Sequence, residues 1–326
     1  MEAEMIKREG IAFEAIPAAG IHGVGITSLP GNILRLLKGY FSSRSILNRF
    51  NPDVLFFTGG YVAVPMALAG ISCQSLLYVP DVEPGLALKT IAHFSDHIAV
   101  SVQPSLSYFS ARKKVIITGY PTRPDLMRWD QKKAREFFGI QGNPQVLLIL
   151  GGSKGARSIN LAVAKYLSQL LTSVDVIHLS GQLDYDTLHQ HRELLPHELK
   201  QRYHLLPYLH EMGAALAAAD LAVSRAGASI LGEYPLFGLP SILAPYPYAW
   251  RYQKTNADYL VERGAAVVLA DSNLDEEFYS VVTSLLSDPP RLATMGQAAR
   301  SLATPNAAGK IAAILVSMAG QKKGGY

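Results

Sequence analysis

Three short runs of small residues each follow an apolar stretch, and they are where this chain is best equipped to bind a ligand. They are Thr58-Gly59-Gly60-Tyr61-Val62, Gly151-Gly152-Ser153-Lys154-Gly155-Ala156-Arg157 and Ser224-Arg225-Ala226-Gly227-Ala228-Ser229. Glycine lets the backbone come close to a ligand, and a helix starting at once offers free N–H groups and a positive dipole end to an anion. Tight packing of a strand end on a helix start calls for the same small residues, and for any single turn it is the competing explanation. The second and third turns each add a hydroxyl and an arginine, which points to a diphosphate. Gly151–Arg157 does not follow the Walker spacing G-x-x-x-x-G-K-[ST]. Nor does it fit G-x-G-x-x-G with an acidic ribose ligand at the usual distance. NTPase and dehydrogenase chemistry are therefore disfavoured.

Two further groups suit the rest of such a ligand. Glu233 falls in the first turns of the helix expected to begin at Ala228, where a carboxylate can accept bonds from both hydroxyls of a ribose. Its neighbours Leu231, Tyr234 and Leu236 argue against a purely solvated surface glutamate. Pro245-Tyr-Pro-Tyr-Ala-Trp-Arg-Tyr-Gln253-Lys-Thr-Asn256 then runs from a strand end into another helix. Gln253 can bond sugar hydroxyls, and the tyrosines and Trp250 either wall a sugar or pack on their own domain.

These turns need a scaffold, and the sequence predicts one. Short apolar runs alternate with longer helical-period segments, the pattern of parallel βαβ units. Strands are predicted near 12–16, 53–57, 75–79, 97–101 and 114–118, and again near 145–150, 174–179, 203–206, 220–224, 241–244 and 266–269. The clearest helices are 155–171, 228–237, 251–263 and 274–287. Gly119-Tyr-Pro-Thr-Arg-Pro124 reads as an interdomain linker. Domains are expected at 1–122 and 123–305, with a C-terminal helix and tail at 306–326. Met1–Glu9 looks like the end of a helix stopped by Gly10. Either a strand-loop-helix unit is missing ahead of Met1, or the fold starts with a helix.

Composition bounds the remaining possibilities. With 326 residues, 49% hydrophobic and 17% charged, the chain supports a large folded core and two domains. Its single cysteine, Cys73, excludes an internal disulfide framework and any cysteine-cluster metal site, and suits a reducing compartment. The charged start MEAEMIKREG is no signal peptide. No apolar run reaches the ~20 residues of a spanning helix.

The combined motifs resemble the MurG family. The resemblance is carried by Gly151–Asn160, Thr118–Pro124, Val176–Gln182, Ser224–Glu233, Pro245-Tyr-Pro and Gln253-Lys-Thr-Asn256, and more weakly by Thr58–Val62 and Val82-Glu-Pro-Gly85. It runs from about Met1 to residue 310. It implies an α/β, GT-B-like fold of two Rossmann-like parallel-sheet domains facing a cleft, the first incomplete at its N-terminus. It also implies an inverting transferase that moves GlcNAc from UDP-GlcNAc onto a lipid-linked muramyl-pentapeptide acceptor, with no cofactor. By position, Ser153 and Arg123 would contact the diphosphate, and Leu209 would meet uracil through its backbone. Ala228, Ser229 and Ile230 would line the phosphate turn, Glu233 would hold the ribose, and Gln253 would contact the sugar.

The chain departs from the family pattern in three places. Family members open with a glycine-rich loop reading GGTGGH, which contacts the acceptor diphosphate and carries the favoured catalytic-base histidine; no such loop occurs here. Asp81, in Tyr78-Val-Pro-Asp81, stands where the family has Asn, so an amide donor becomes an acceptor-only carboxylate. Tyr252 stands where His or Gln usually precedes Gln253. In an inverting displacement the acceptor hydroxyl attacks the anomeric carbon while UDP leaves. Arg123 and the two helix starts can stabilise that diphosphate without a metal. Asp81 is the candidate general base, with a structural or helix-capping aspartate as the alternative. His22 reads as a loop residue.

Leu29–Phe50 carries Arg35, Lys38, Arg44 and Arg49, no acid, and many apolar residues. Such a basic amphipathic helix either lies on an anionic membrane surface or packs as a crossover helix with a solvated basic edge. The first option, with the resemblance, implies a cytoplasmic protein peripheral on the inner face of the membrane. No nucleic-acid-binding motif is present, so nucleic acid is not an expected partner. The competing functions are a non-catalytic nucleotide-sugar-binding paralogue or scaffold, and a transferase with another lipid acceptor.

Overall fold

Every strand predicted beyond residue 50 forms, with bounds within one residue of those expected, and each lies parallel to its neighbours. The computed structural model describes residues 6–7, 10–20, 29–152, 154–248 and 250–320. The first sheet holds β1 (Val54–Phe57), β2 (Gln74–Val79), β3 (His97–Val100) and β4 (Lys114–Ile117), in the order β1-β2-β3-β4. The second holds β5 (Gln145–Leu150), β6 (Val174–Leu179), β7 (Tyr203–Leu206), β8 (Leu221–Ser224), β9 (Ser241–Leu243) and β10 (Ala266–Val268), in the order β10-β9-β8-β5-β6-β7. Helices cover both faces of the second sheet, so strands such as β6 are buried along their whole length. That is why a run such as Val146–Leu150 in β5 reads as continuously apolar rather than alternating.

The strand order reverses between β5 and β8. In an open parallel sheet a ligand binds at such a switch point, outside the carboxyl ends of the strands. Both glycine turns of the second half lie there.

Two expectations fail. Residues 12–16 form no strand: Ile11 to Gly20 is irregular and mostly exposed. Pro17 removes a ladder donor, and Glu14 instead pairs with Arg49 at the end of the helix Leu29–Phe50. The predicted helix 228–237 is two pieces, a 3₁₀ turn Ala228–Leu231 and a helix Glu233–Phe237. Pro235 has no N–H to bond back to Leu231, so the first piece cannot run on. Gly232, at the break, lies against Tyr120, where a Cβ would come within 2.8 Å of that ring.

The two halves meet at several points. Gly119 packs so closely on Thr304 that a Cβ would lie 2.5 Å away, which brings the outgoing and returning crossings together. The helix Ala307–Ala319 then returns to the first sheet, setting Ile311 and Met318 against Leu76, Tyr78 and Ala99. Leu29–Phe50 packs mainly on the helix Ala63–Ala69, with Gly39 and Ser43 buried on its inner side. Among the described residues no helix is long and apolar enough to cross a membrane.

Candidate functional site

The cleft at the switch point has a volume of about 660 Å³, within the range of small-molecule sites. Gly151, Gly152 and Gly155–Ser158 form one wall, Arg225, Gly227, Ser229, Ile230 and Glu233 the other, and Tyr246, Gln253 and Asp271 close it. Both explanations of the glycine turn hold, at different residues. Gly155, at φ +79°, is pressed against the Ser180 carbonyl, where a Cβ would lie 2.0 Å away. Gly152, at φ +87°, has nothing within 4 Å of its virtual Cβ and opens to the cleft. The helix Arg157–Leu170 starts here with no side-chain cap, so its first N–H groups are left for a ligand. On the opposite wall the four-residue 3₁₀ turn carries little dipole, so anion stabilisation falls mainly to the longer helix.

The turn is braced from behind by a buried polar network built from motif residues. Asn160 Nδ2 donates to the Ser180 carbonyl at 2.9 Å and to Asp184 Oδ2 at 2.8 Å. Its Oδ1 lies 2.9 Å from His178 Nε2, and His178 Nδ1 lies 2.8 Å from the Tyr203 hydroxyl. Asn160 Oδ1 can only accept, so His178 carries its proton on Nε2 and accepts from Tyr203. Complete burial lowers the His178 pKa to about 3, so the ring is neutral.

Glu233 lines the cleft with Ser229. Burial raises its carboxyl above the ordinary range, while nearby Arg123 and the Ser229 hydroxyl pull it down. Gln253 Oε1 accepts from the Tyr246 N–H at 2.8 Å, which leaves its amide NH₂ to donate into the cleft. Tyr246 covers Arg225, while Tyr248 is exposed and meets Tyr246 edge-on.

Of the other expected residues, Ser229 and Ile230 line the cleft and Ala228 does not. Arg123 also lies off its walls. Its Nη2 donates to the His210 carbonyl at 3.2 Å, with Asp125 3.6 Å from Nε. Leu209 is buried in the core, so only its backbone is available to a ligand. Ser153, His22 and the Trp250 side chain lie outside the described residues.

Asp81 does not cap the helix Leu86–Phe94, whose N-cap is Gly85 with no side-chain bond. Its Oδ1 instead accepts from Asn256 Nδ2 at 2.8 Å. Fully buried Asn256 also donates to the Ala226 carbonyl at 3.1 Å and accepts from the Val82 N–H at 2.9 Å, tying the two halves together. Burial raises the Asp81 carboxyl above its usual range, and the Asn256 bond partly offsets this. Tyr252 lies beside Gly85 across the same junction, 3.8 Å from its virtual Cβ.

Sequence reasoning missed Asp271, which bonds Arg225 and Ser158 on the cleft wall. Nothing in its local sequence marks it; only the fold brings it there.

Two parallel α/β halves, with a phosphate-type turn and a buried glutamate at the switch point of the second, define a protein of the GT-B class. The chain matches the glycosyltransferase family 28 C-terminal domain over residues 146–311 and its N-terminal domain over residues 1–100. It is 38% identical to the UDP-N-acetylglucosamine–N-acetylmuramyl-(pentapeptide) pyrophosphoryl-undecaprenol N-acetylglucosamine transferase of Roseiflexus sp., covering 98% of this chain and 81% of that one. It is 37% identical to the Desulforudis audaxviator protein of the same name, over 98% and 88% of the two chains. The crystal structure of Acinetobacter baumannii MurG superposes with a TM-score of 0.77 at 26% identity, over 97% and 88%. The chain belongs to the MurG family, within glycosyltransferase family 28.

Proposed function

We infer that this protein transfers GlcNAc from UDP-GlcNAc to a lipid-linked muramyl-pentapeptide, converting lipid I to lipid II with inversion at the anomeric carbon. The observation that carries the reading is the cleft at the β5/β8 switch point, in a chain whose relatives are named for this reaction. The diphosphate rests on Gly151–Ser158 and the start of the helix Arg157–Leu170, the ribose on Glu233, and the sugar on Gln253. Arg123 approaches the diphosphate from beside Glu233, and the Leu209 backbone faces uracil. The helix N–H groups stabilise the charge that grows as UDP departs. Asp81, held by Asn256 at the junction of the two halves, is assigned the proton of the attacking hydroxyl. With labelled UDP-GlcNAc and a lipid I analogue, product is expected from the wild type. Asp81→Asn keeps a partner for Asn256 but installs the amide that the family carries there, so a loss of turnover with UDP binding kept is expected only from the missing carboxylate base. An Asp81→Asn variant that turns over normally would remove Asp81 from the chemistry, and an inactive wild type would favour a non-catalytic binding protein.

The lipid acceptor requires a membrane surface, and the helix Leu29–Phe50 supports one. Ile33, Leu34, Leu37 and Phe41 are exposed on its outer side, among exposed Arg35, Lys38 and Arg44. An apolar strip flanked by cations suits an anionic bilayer at the inner face of the cell membrane. Phe41→Glu is expected to reduce sedimentation with phosphatidylglycerol vesicles about tenfold, since it loses an inserted aromatic ring and adds a repelled charge. Because Phe41 is 68% exposed, the fold is expected to be unaffected. Unchanged vesicle binding would assign the helix to packing alone.

A further inference from the structure

Arg225 extends from the end of β8 along the wall of the cleft, and each of its contacts is with a segment that borders it. Nη1 donates to the Ala244 carbonyl at 2.9 Å and to Asp271 Oδ1 at 2.5 Å. Nη2 donates to Ser158 Oγ at 2.7 Å, and that hydroxyl donates to the same Asp271 oxygen at 2.7 Å. The Tyr246 ring covers the guanidinium, with its centroid 5.1 Å from Cζ. The Arg225 and Asp271 side chains are 10% and 22% exposed, so water screens the pair only in part. Both line the cleft.

An unopposed guanidinium in this position would grip a diphosphate through charge-assisted bonds. Asp271, paired with Arg225 through its Oδ1, offsets that charge. The arrangement weakens binding of the nucleoside diphosphate, and in a transferase that has a use. The diphosphate must leave after every transfer, and product release often limits turnover. We propose that Asp271 is an internal counter-anion to Arg225, competing with the diphosphate for the guanidinium and so setting how tightly the nucleoside diphosphate product is held. The inference rests on the reading of this cleft as the UDP-GlcNAc site. Asp271 is a positioning residue in this scheme, acting through Arg225.

Asp271→Asn has nearly the same shape and keeps an acceptor for Arg225 and Ser158, so it removes little besides charge. The test is calorimetric titration of UDP into the wild type, Asp271→Asn, Arg225→Gln and the double variant. Asp271→Asn is expected to bind UDP about tenfold tighter, which is about 1.4 kcal/mol. Arg225→Gln is expected to abolish that gain in the double variant. In turnover, Asp271→Asn is expected to lower kcat and to strengthen inhibition by UDP, a pattern that a purely structural role would not produce. Unchanged or weaker UDP binding by Asp271→Asn beside a binding wild type overturns the inference, as does a gain that persists without Arg225. A wild type that does not bind UDP overturns the donor-site reading, and this inference with it.

Discussion

Replacing Glu233 with alanine is expected to weaken UDP binding by about 1–3 kcal/mol, the usual loss for hydrogen bonds to a charged group. The carboxylate stands at the break between the 3₁₀ turn and the helix Glu233–Phe237 and lines the cleft. There it can accept from both ribose hydroxyls, which no neutral neighbour replaces. The loss should appear with UDP and UDP-GlcNAc alike, because it acts on the nucleoside. It should also depend on pH. Burial raises the Glu233 carboxyl above the ordinary range, so protonation removes the acceptor at a higher pH than for a surface glutamate. UDP affinity should therefore fall as the pH drops through that raised value, and Glu233→Gln should flatten the dependence. Unchanged affinity in Glu233→Ala would remove the residue from the site.

Asn160→Leu is expected to cost about 3 kcal/mol of stability. Leucine fills a similar volume but strands the His178 N–H and the Ser180 carbonyl, each at about 1–3 kcal/mol. Thermal unfolding should fall by roughly 10 °C, on a scale of about 2–4 °C per kcal/mol for domains of this size. A fall of only a degree or two would show that the network is not a brace. The same network sets an acid limit. Unfolded, His178 titrates near 6.5, whereas folded it titrates at about 3. Between those values the unfolded chain binds a proton that the folded chain refuses. Its stability contribution is complete above pH 6.5 and is lost as pH falls towards 3, at about 1.4 kcal/mol per pH unit.

The sheets were legible because buried parallel strands leave short apolar runs, as Val146–Leu150 does in β5 and Leu221–Val223 in β8. Residues 12–16 mimicked that pattern briefly, but apolar character alone pairs nothing, and Pro17 stands at its end. The glycine turns were legible as turns. Their division of labour was not, since Gly155 and Gly152 look alike until the Ser180 carbonyl is placed against one of them. Glu233 and Gln253 could be chosen for their chemistry, as both lie in helix starts near the turns. Asp271 could not, because it reaches Ser158 across 113 residues. Asn160 and His178 belong to the recognised motifs, yet only their buried bonds identify them as supports rather than ligands. Asp81 was legible as a departure from the family, but its bond to Asn256 spans 175 residues and appears only when the halves are joined.

The central claim is that the β5/β8 cleft binds a uridine diphosphate sugar, and calorimetric titration of this chain with UDP and UDP-GlcNAc tests it most directly. The account predicts binding of both, tighter than a UMP control, because the second phosphate reaches the uncapped start of Arg157–Leu170. A folded sample that binds neither, or that binds UMP as tightly as UDP, would contradict it.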